Sequence, residues 1–194
     1  MKKSRLLGAM CAITLGALLI ASQASAATVS VIPAETIANV GDPFTLTVQG
    51  SDFLDGASEG SISLTWDPTA MTSTSTLADV LVTAPTGFSD LFGTSSLVAG
   101  QLNVTLATFG AALPSTFDFI SIDFVANTQP TVAQPFIVGI TQGPDGLWQD
   151  GNLQPIPAVD VTYVGGTVVP VPAAVWLFGS GLIGLVGVAR RKAA

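Results

Sequence analysis

Across residues 28–164 apolar side chains recur at every second position, in short runs broken by turn signals. Phe44, Leu46 and Val48 alternate with Thr45, Thr47 and Gln49, and Ile62, Leu64 and Trp66 with Ser61, Ser63 and Thr65. Leu102, Val104 and Leu106 alternate with Asn103, Thr105 and Ala107, and Ile120, Ile122 and Phe124 with Ser121 and Asp123. Successive side chains of an extended strand point to opposite faces, so each run predicts a strand with one buried face. Val29 and Val31, Pro135–Gln142 and Val159–Val164 extend the set, and Val80–Val82 is a weaker strand candidate. Gly41-Asp42-Pro43, Asp55-Gly56, Asp67-Pro68, Ala99-Gly100, Gln129-Pro130, Gly143-Pro144-Asp145-Gly146 and Asp150-Gly151-Asn152 supply the turns. No run shows a convincing helical period. About eight short strands with polar turns predict an all-β, antiparallel β-sandwich, wet on its outer faces.

The distribution of charge narrows what such a sandwich can do. All six cations, Lys2, Lys3, Arg5, Arg190, Arg191 and Lys192, lie at the two ends, and the chain has no His. The thirteen acids run from Glu35 to Asp160, so a net charge of −7 conceals a middle with no side-chain cation. Nucleic acid as a partner is excluded there, because phosphates need cations. A Ser–His pair, a His general base and His metal ligands are excluded too.

The ends read as addresses. Lys2, Lys3 and Arg5, the apolar stretch Leu6–Ala21 and the small-x-small Ala24-Ser25-Ala26 make a signal peptide over residues 1–26, cut after Ala26 by signal peptidase. Cys11 leaves with it. Residues 173–189 form an uncharged, largely apolar run long enough for a short transmembrane helix, and 190–192 a basic tail that marks the cytoplasmic side. With Val169, Pro170, Val171 and Pro172 before Ala173-Ala174-Val175-Trp176-Leu177-Phe178-Gly179-Ser180-Gly181, and Arg190, Arg191 and Lys192 after, residues 168–194 closely resemble the PEP-CTERM sorting signal. Val171 stands where the family's name places Glu. The resemblance implies processing by a membrane exosortase near Pro170–Pro172, in an exopolysaccharide-producing Gram-negative bacterium. A plain membrane anchor that keeps its tail is the alternative.

Residues 27–167 are the domain between. Val29-Ser30-Val31, the opening Val40-Gly41-Asp42-Pro43-Phe44-Thr45-Leu46-Thr47-Val48, Leu54-Asp55-Gly56-Ala57 leading into Ser61–Trp66, Asp67-Pro68 with Met71, and Ile120–Ala126 together resemble the cohesin domains. These are jelly-roll sandwiches that capture dockerin modules. The resemblance implies a cohesin-like binding module rather than an enzyme, with a dockerin-like protein as partner. No motif for the gripping surface is matched, so no binding residues are carried over.

Candidate sites are few. Asp42, Asp55, Asp67, Asp145 and Asp150 sit beside turn residues, where Asp bonds its own backbone. Asp145, Asp150 and Asn152 are weak candidates for a calcium site, because calcium takes hard oxygen ligands; their spacing does not match an EF-hand loop. No cofactor is otherwise expected. Trp148, between turn signals and near Asp, Asn and Gln, is a candidate for stacking on a sugar ring, against the alternative of a loop Trp folded back on the sheet edge. Trp66 shares the phase of Ile62 and Leu64 and belongs to the core; Asp123 faces solvent. A glycosidase needs only two carboxylates, but thirteen acids make the count unspecific.

The expectation is an exported, non-catalytic surface or matrix interaction protein, anchored in the inner membrane as an intermediate and then placed at the cell surface or in the extracellular matrix. A carbohydrate-binding module acting on exopolysaccharide is the alternative, and a secreted glycosidase a third reading.

Overall fold

A computed structural model describes residues 26–146, 148–171 and 178. The expected signal peptide up to Ser25 (including Ala24), Pro172, the expected transmembrane segment 173–189 apart from Phe178, and the tail with Arg190, Arg191 and Lys192 lie outside the described residues. Among the described residues no helix is long and apolar enough to cross a membrane.

Alternation becomes two packed sheets. The first has the order β11 (Val161–Val164), β1 (Ala27–Ile32), β3 (Pro43–Ser51), β8 (Phe117–Ala126) and β5 (Met71–Ser73). The second has the order β2 (Glu35–Ile37), β12 (Gly166–Val169), β9 (Phe136–Gln142), β4 (Ala57–Thr65), β7 (Gln101–Ala107) and β6 (Ser96–Val98), with β10 (Gln149–Asp150) also paired to β4. Most neighbours are antiparallel; β1 with β11 and β2 with β12 are parallel. Val29, Val31, Leu46, Val48, Ile62, Leu64, Leu102, Val104, Leu106, Ile120, Ile122 and Phe124 face inward and are almost completely buried. Trp66 is buried with its ring edge-on to Phe124 at 5.1 Å. Asp123 is exposed and accepts from the Thr45 hydroxyl.

Three features depart from the sequence reading. β8 starts at Phe117, three residues before the alternating run at Ile120. Phe117 and Phe119 share one phase, and Ile120, Ile122 and Phe124 the other. Val48 pairs with Ile120 but Gln49 with Asp118, so a bulge at Phe119 turns both phases inward. Second, Val80–Val82 is not a strand: α1 (Leu77–Val82) is held by a capping box. Asp79 accepts from the Thr76 backbone N–H at 2.8 Å, and Thr76 Oγ1 accepts from Asp79 N–H at 3.3 Å. The Thr76 hydroxyl, which donates to Asp79 Oδ2 at 2.7 Å, and then the Thr76 backbone N–H hold the Asp79 carboxyl below the usual range. Third, the sandwich runs past residue 167: β12 continues to Val169, and Val168 is fully buried.

Candidate functional surface

β4, β7 and β9 turn alternate apolar side chains into the core, so their other side chains tile the outward face of the second sheet, where Ser61, Ser63 and Thr105 are themselves buried. Register places Thr141, Ser63, Asn103 and Ser96 in one row, and Gly139, Thr65, Gln101 and Val98 in the next. Gln101 Nε2 donates to Ser63 Oγ and Asn103 Oδ1, each at 3.3 Å, and Asn103 Nδ2 donates to Ser96 Oγ at 3.3 Å. Thr65, Thr141 and Val98 are exposed, and Gln101 and Asn103 half-buried. These two rows carry no charge. The outward face of the first sheet differs: Asp118 and Asp123 stand on it, accepting from Gln49 and Thr45.

Towards the β10 end the tile turns acidic. Thr105 Oγ1 donates to Asp145 Oδ2 at 2.6 Å, and Ser61 Oγ lies 3.0 Å from Thr105 Oγ1. Thr105 has one hydroxyl proton and gives it to the carboxylate, so Ser61 is the donor in its pair. The Thr105 hydroxyl, then that of Thr94, holds the Asp145 carboxyl below the usual range. Glu59 is the opposite case. Burial, and then the charge of Asp145, push its carboxyl up, although Gln149 Nε2 donates to Oε2 at 2.6 Å.

A stability test follows. A raised folded-state pKa means that the stability linked to Glu59 is fully present below its unfolded value and is lost as pH rises through the folded one. Glu59→Gln keeps an acceptor for Gln149 and removes the charge. The variant is expected to melt slightly above the parent at pH 7, and the gap should close below about pH 4, where Glu59 itself is protonated. Thermal melts across that range check this; a variant that melts below the parent at pH 7 refutes it.

The calcium candidates are not brought together. Asp145 is held by Thr105. Asp150 Oδ1 accepts from the Asn152 and Gln154 backbone N–H groups at 2.8 Å each, an Asp satisfied by its own turn. Asp150 instead lines a small cleft of about 170 Å³ with Asp52, Asp55 and Asp160. Among the described residues no three His, Cys, Asp or Glu side chains converge to hold a metal ion.

Trp148 requires a correction as a sugar contact. It is 1 % exposed, and its ring packs on Phe53 and Phe119 at 5.0 Å and on Phe117 at 6.0 Å. Its Nε1–H donates to the Tyr163 hydroxyl at 3.2 Å. A ring enclosed on both faces offers no stacking surface. The fold explains the burial: β10 hydrogen-bonds to β4, and Gly60 on β4 leaves room for the ring. The turn residues on both sides of Trp148 concealed this, whereas Gly60 in the middle of a strand was the available signal.

A two-sheet sandwich with this strand order defines the class, and solved structures place it more closely. The chain is similar to the sixth cohesin of scaffoldin B from Acetivibrio cellulolyticus, crystallised in complex with a Cel5 dockerin, at 18% identity over 75% of this chain and 99% of that one (TM-score 0.54). It is also similar to the seventh ScaB type I cohesin of Pseudobacteroides cellulosolvens, at 14% identity over 75% and 92% (TM-score 0.56). A third is a non-cellulosomal cohesin from Archaeoglobus fulgidus, at 14% identity over 76% and 92% (TM-score 0.54). The chain therefore has a cohesin-like fold. Neither a protein-family model nor a curated protein sequence matches it.

Proposed function

We propose that this is an exported, non-catalytic interaction module whose cohesin-like sandwich docks a dockerin-like protein on the uncharged rows of the β9–β4–β7–β6 face. The observation that carries this reading is the cohesin-like fold, several of whose solved neighbours were crystallised with dockerins. The choice of face rests on desolvation. Docking on the first sheet would bury carboxylates with no cation of this domain nearby, which is costly. Docking on the tile buries hydroxyls and amides, which can exchange water for partner groups. Thr65→Arg and Asn103→Arg should each abolish binding to a panel of dockerin modules, with Thr47→Arg on the other sheet as the control. Equal binding by all three variants, or none by the parent, would overturn the reading.

The route outward is part of the proposal. Signal peptidase removes residues 1–26, the helix 173–189 holds an inner-membrane intermediate, and exosortase processing near Pro170–Pro172 releases the domain to the cell surface or the matrix. The end of β12 supports this position. Pro170 and Pro172 have no N–H for the sheet, so the ladder stops at Val169. Cutting beyond Val169 leaves the last strand whole. The intact mass of the exported form is expected to lack residues 1–26 and those after about Val169. A mass that includes Arg190, Arg191 and Lys192 would refute exosortase processing.

A further inference from the structure

A cleft of about 590 Å³ opens between the β4–β5 turn and the loop joining β8 to β9. That volume suits a small-ligand site. Its walls are tied together at the base. Asn127 and Thr128 donate backbone N–H groups to Ala70 O at 2.8 and 3.3 Å, and Asn127 Nδ2 reaches Thr72 Oγ1 at 2.7 Å and Pro68 O at 3.2 Å. The loop is closed on itself, since Thr131 and Gln134 exchange backbone bonds at 3.1 Å each and Gln134 N–H also meets Thr131 Oγ1 at 2.9 Å. The cleft is thus formed before any ligand arrives, which spares a ligand the ordering cost.

Its chemistry is mixed in a particular way. Asp67 Oδ1 accepts from the Thr69 backbone and hydroxyl at 2.8 and 2.7 Å. Among the described residues Asp67 Oδ2, the Thr128 hydroxyl and the Gln129 and Gln134 amides make no side-chain hydrogen bond, and all four residues are exposed. Pro135, Phe136 and Ile137 supply apolar lining, with Ile137 66 % exposed. Amides that both donate and accept, beside a spare carboxylate oxygen, match hydroxyl groups, which also do both. Apolar lining beside them suits the C–H face of a sugar ring. No Lys, Arg or His lies between residues 27 and 167, so an anionic ligand would meet Asp67 with nothing to neutralise it.

We infer that this cleft binds a neutral carbohydrate chain. The inference does not rest on the docking reading: the cleft adjoins the tile at Ile137 on β9 but shares no residue with its two rows. Saturation-transfer NMR on the full chain in a sugar-free zwitterionic detergent tests it, with cellohexaose, mannohexaose and maltohexaose as probes and trigalacturonate as the anionic control. At least one neutral probe should bind. Gln129→Ala with Gln134→Ala should weaken it about tenfold without changing the melting temperature, and dockerin binding should be unaffected. The inference is overturned if no neutral probe binds, if the double variant binds as well as the parent, or if trigalacturonate binds equally well.

Discussion

Trp148→Ala is expected to destabilise the domain by about 3–5 kcal/mol, the range for deleting a large aromatic from a packed core. Nothing nearby can readily fill the gap. The ring is a hub for Phe53, Phe117 and Phe119, and Gly60 beneath it has no side chain to move in. The Tyr163 hydroxyl would also lose its donor. Urea unfolding followed by far-UV circular dichroism measures the cost. A loss below about 1 kcal/mol, the level of a typical surface change, would mean that Trp148 does not occupy the core.

Gly60→Ala should be the second large effect, through the same contact seen from the other side. A Cβ built on Gly60 would overlap the Trp148 ring carbons Cζ3, Cε3 and Cη2, closer than atoms can approach. The ring is fixed by three aromatic neighbours, so the clash cannot be relieved by a small rotation. Overpacking of this kind costs about 1–3 kcal/mol. The cost should largely vanish in the Trp148→Ala background, where the added methyl enters a cavity. A double-mutant cycle reads this coupling directly; additivity within about 0.5 kcal/mol would show that the two residues do not touch.

This pair also shows where sequence reading stops. Period-two alternation located the inward faces of β3, β4 and β7, because an extended chain alternates whatever it packs against. Trp66 and Asp123 could be assigned for the same reason. Phe117 and Phe119 lay outside the predicted strand because their phase opposes that of Ile120, and only pairing with β3 places a bulge between them. The short apolar stretch Val80–Val82 reads as a strand, and it is the Thr76–Asp79 capping box that sets α1 there instead. The candidate surface was half visible. Ser61, Ser63, Asn103 and Thr105 were marked as wet positions, yet only β4 pairing with β7 and β9 puts Ser63 and Asn103 in the uncharged rows, while Ser61 and Thr105 are buried, with Thr105 bonded to Asp145.

By itself the sequence determined the class of fold, the inward residues of the regular strands and the confinement of all cations to the ends, since each follows from local spacing or composition. The tertiary structure alone decided which strands are neighbours, and so which side chains meet. It took Trp148 out of a polar turn and into the core, parted Asp145 from Asp150, and built a cleft from segments far apart in the chain, Asp67–Ala70 and Thr128–Ile137. The physical reason is that pairing energy between strands depends on contacts distant in sequence, which no local pattern encodes.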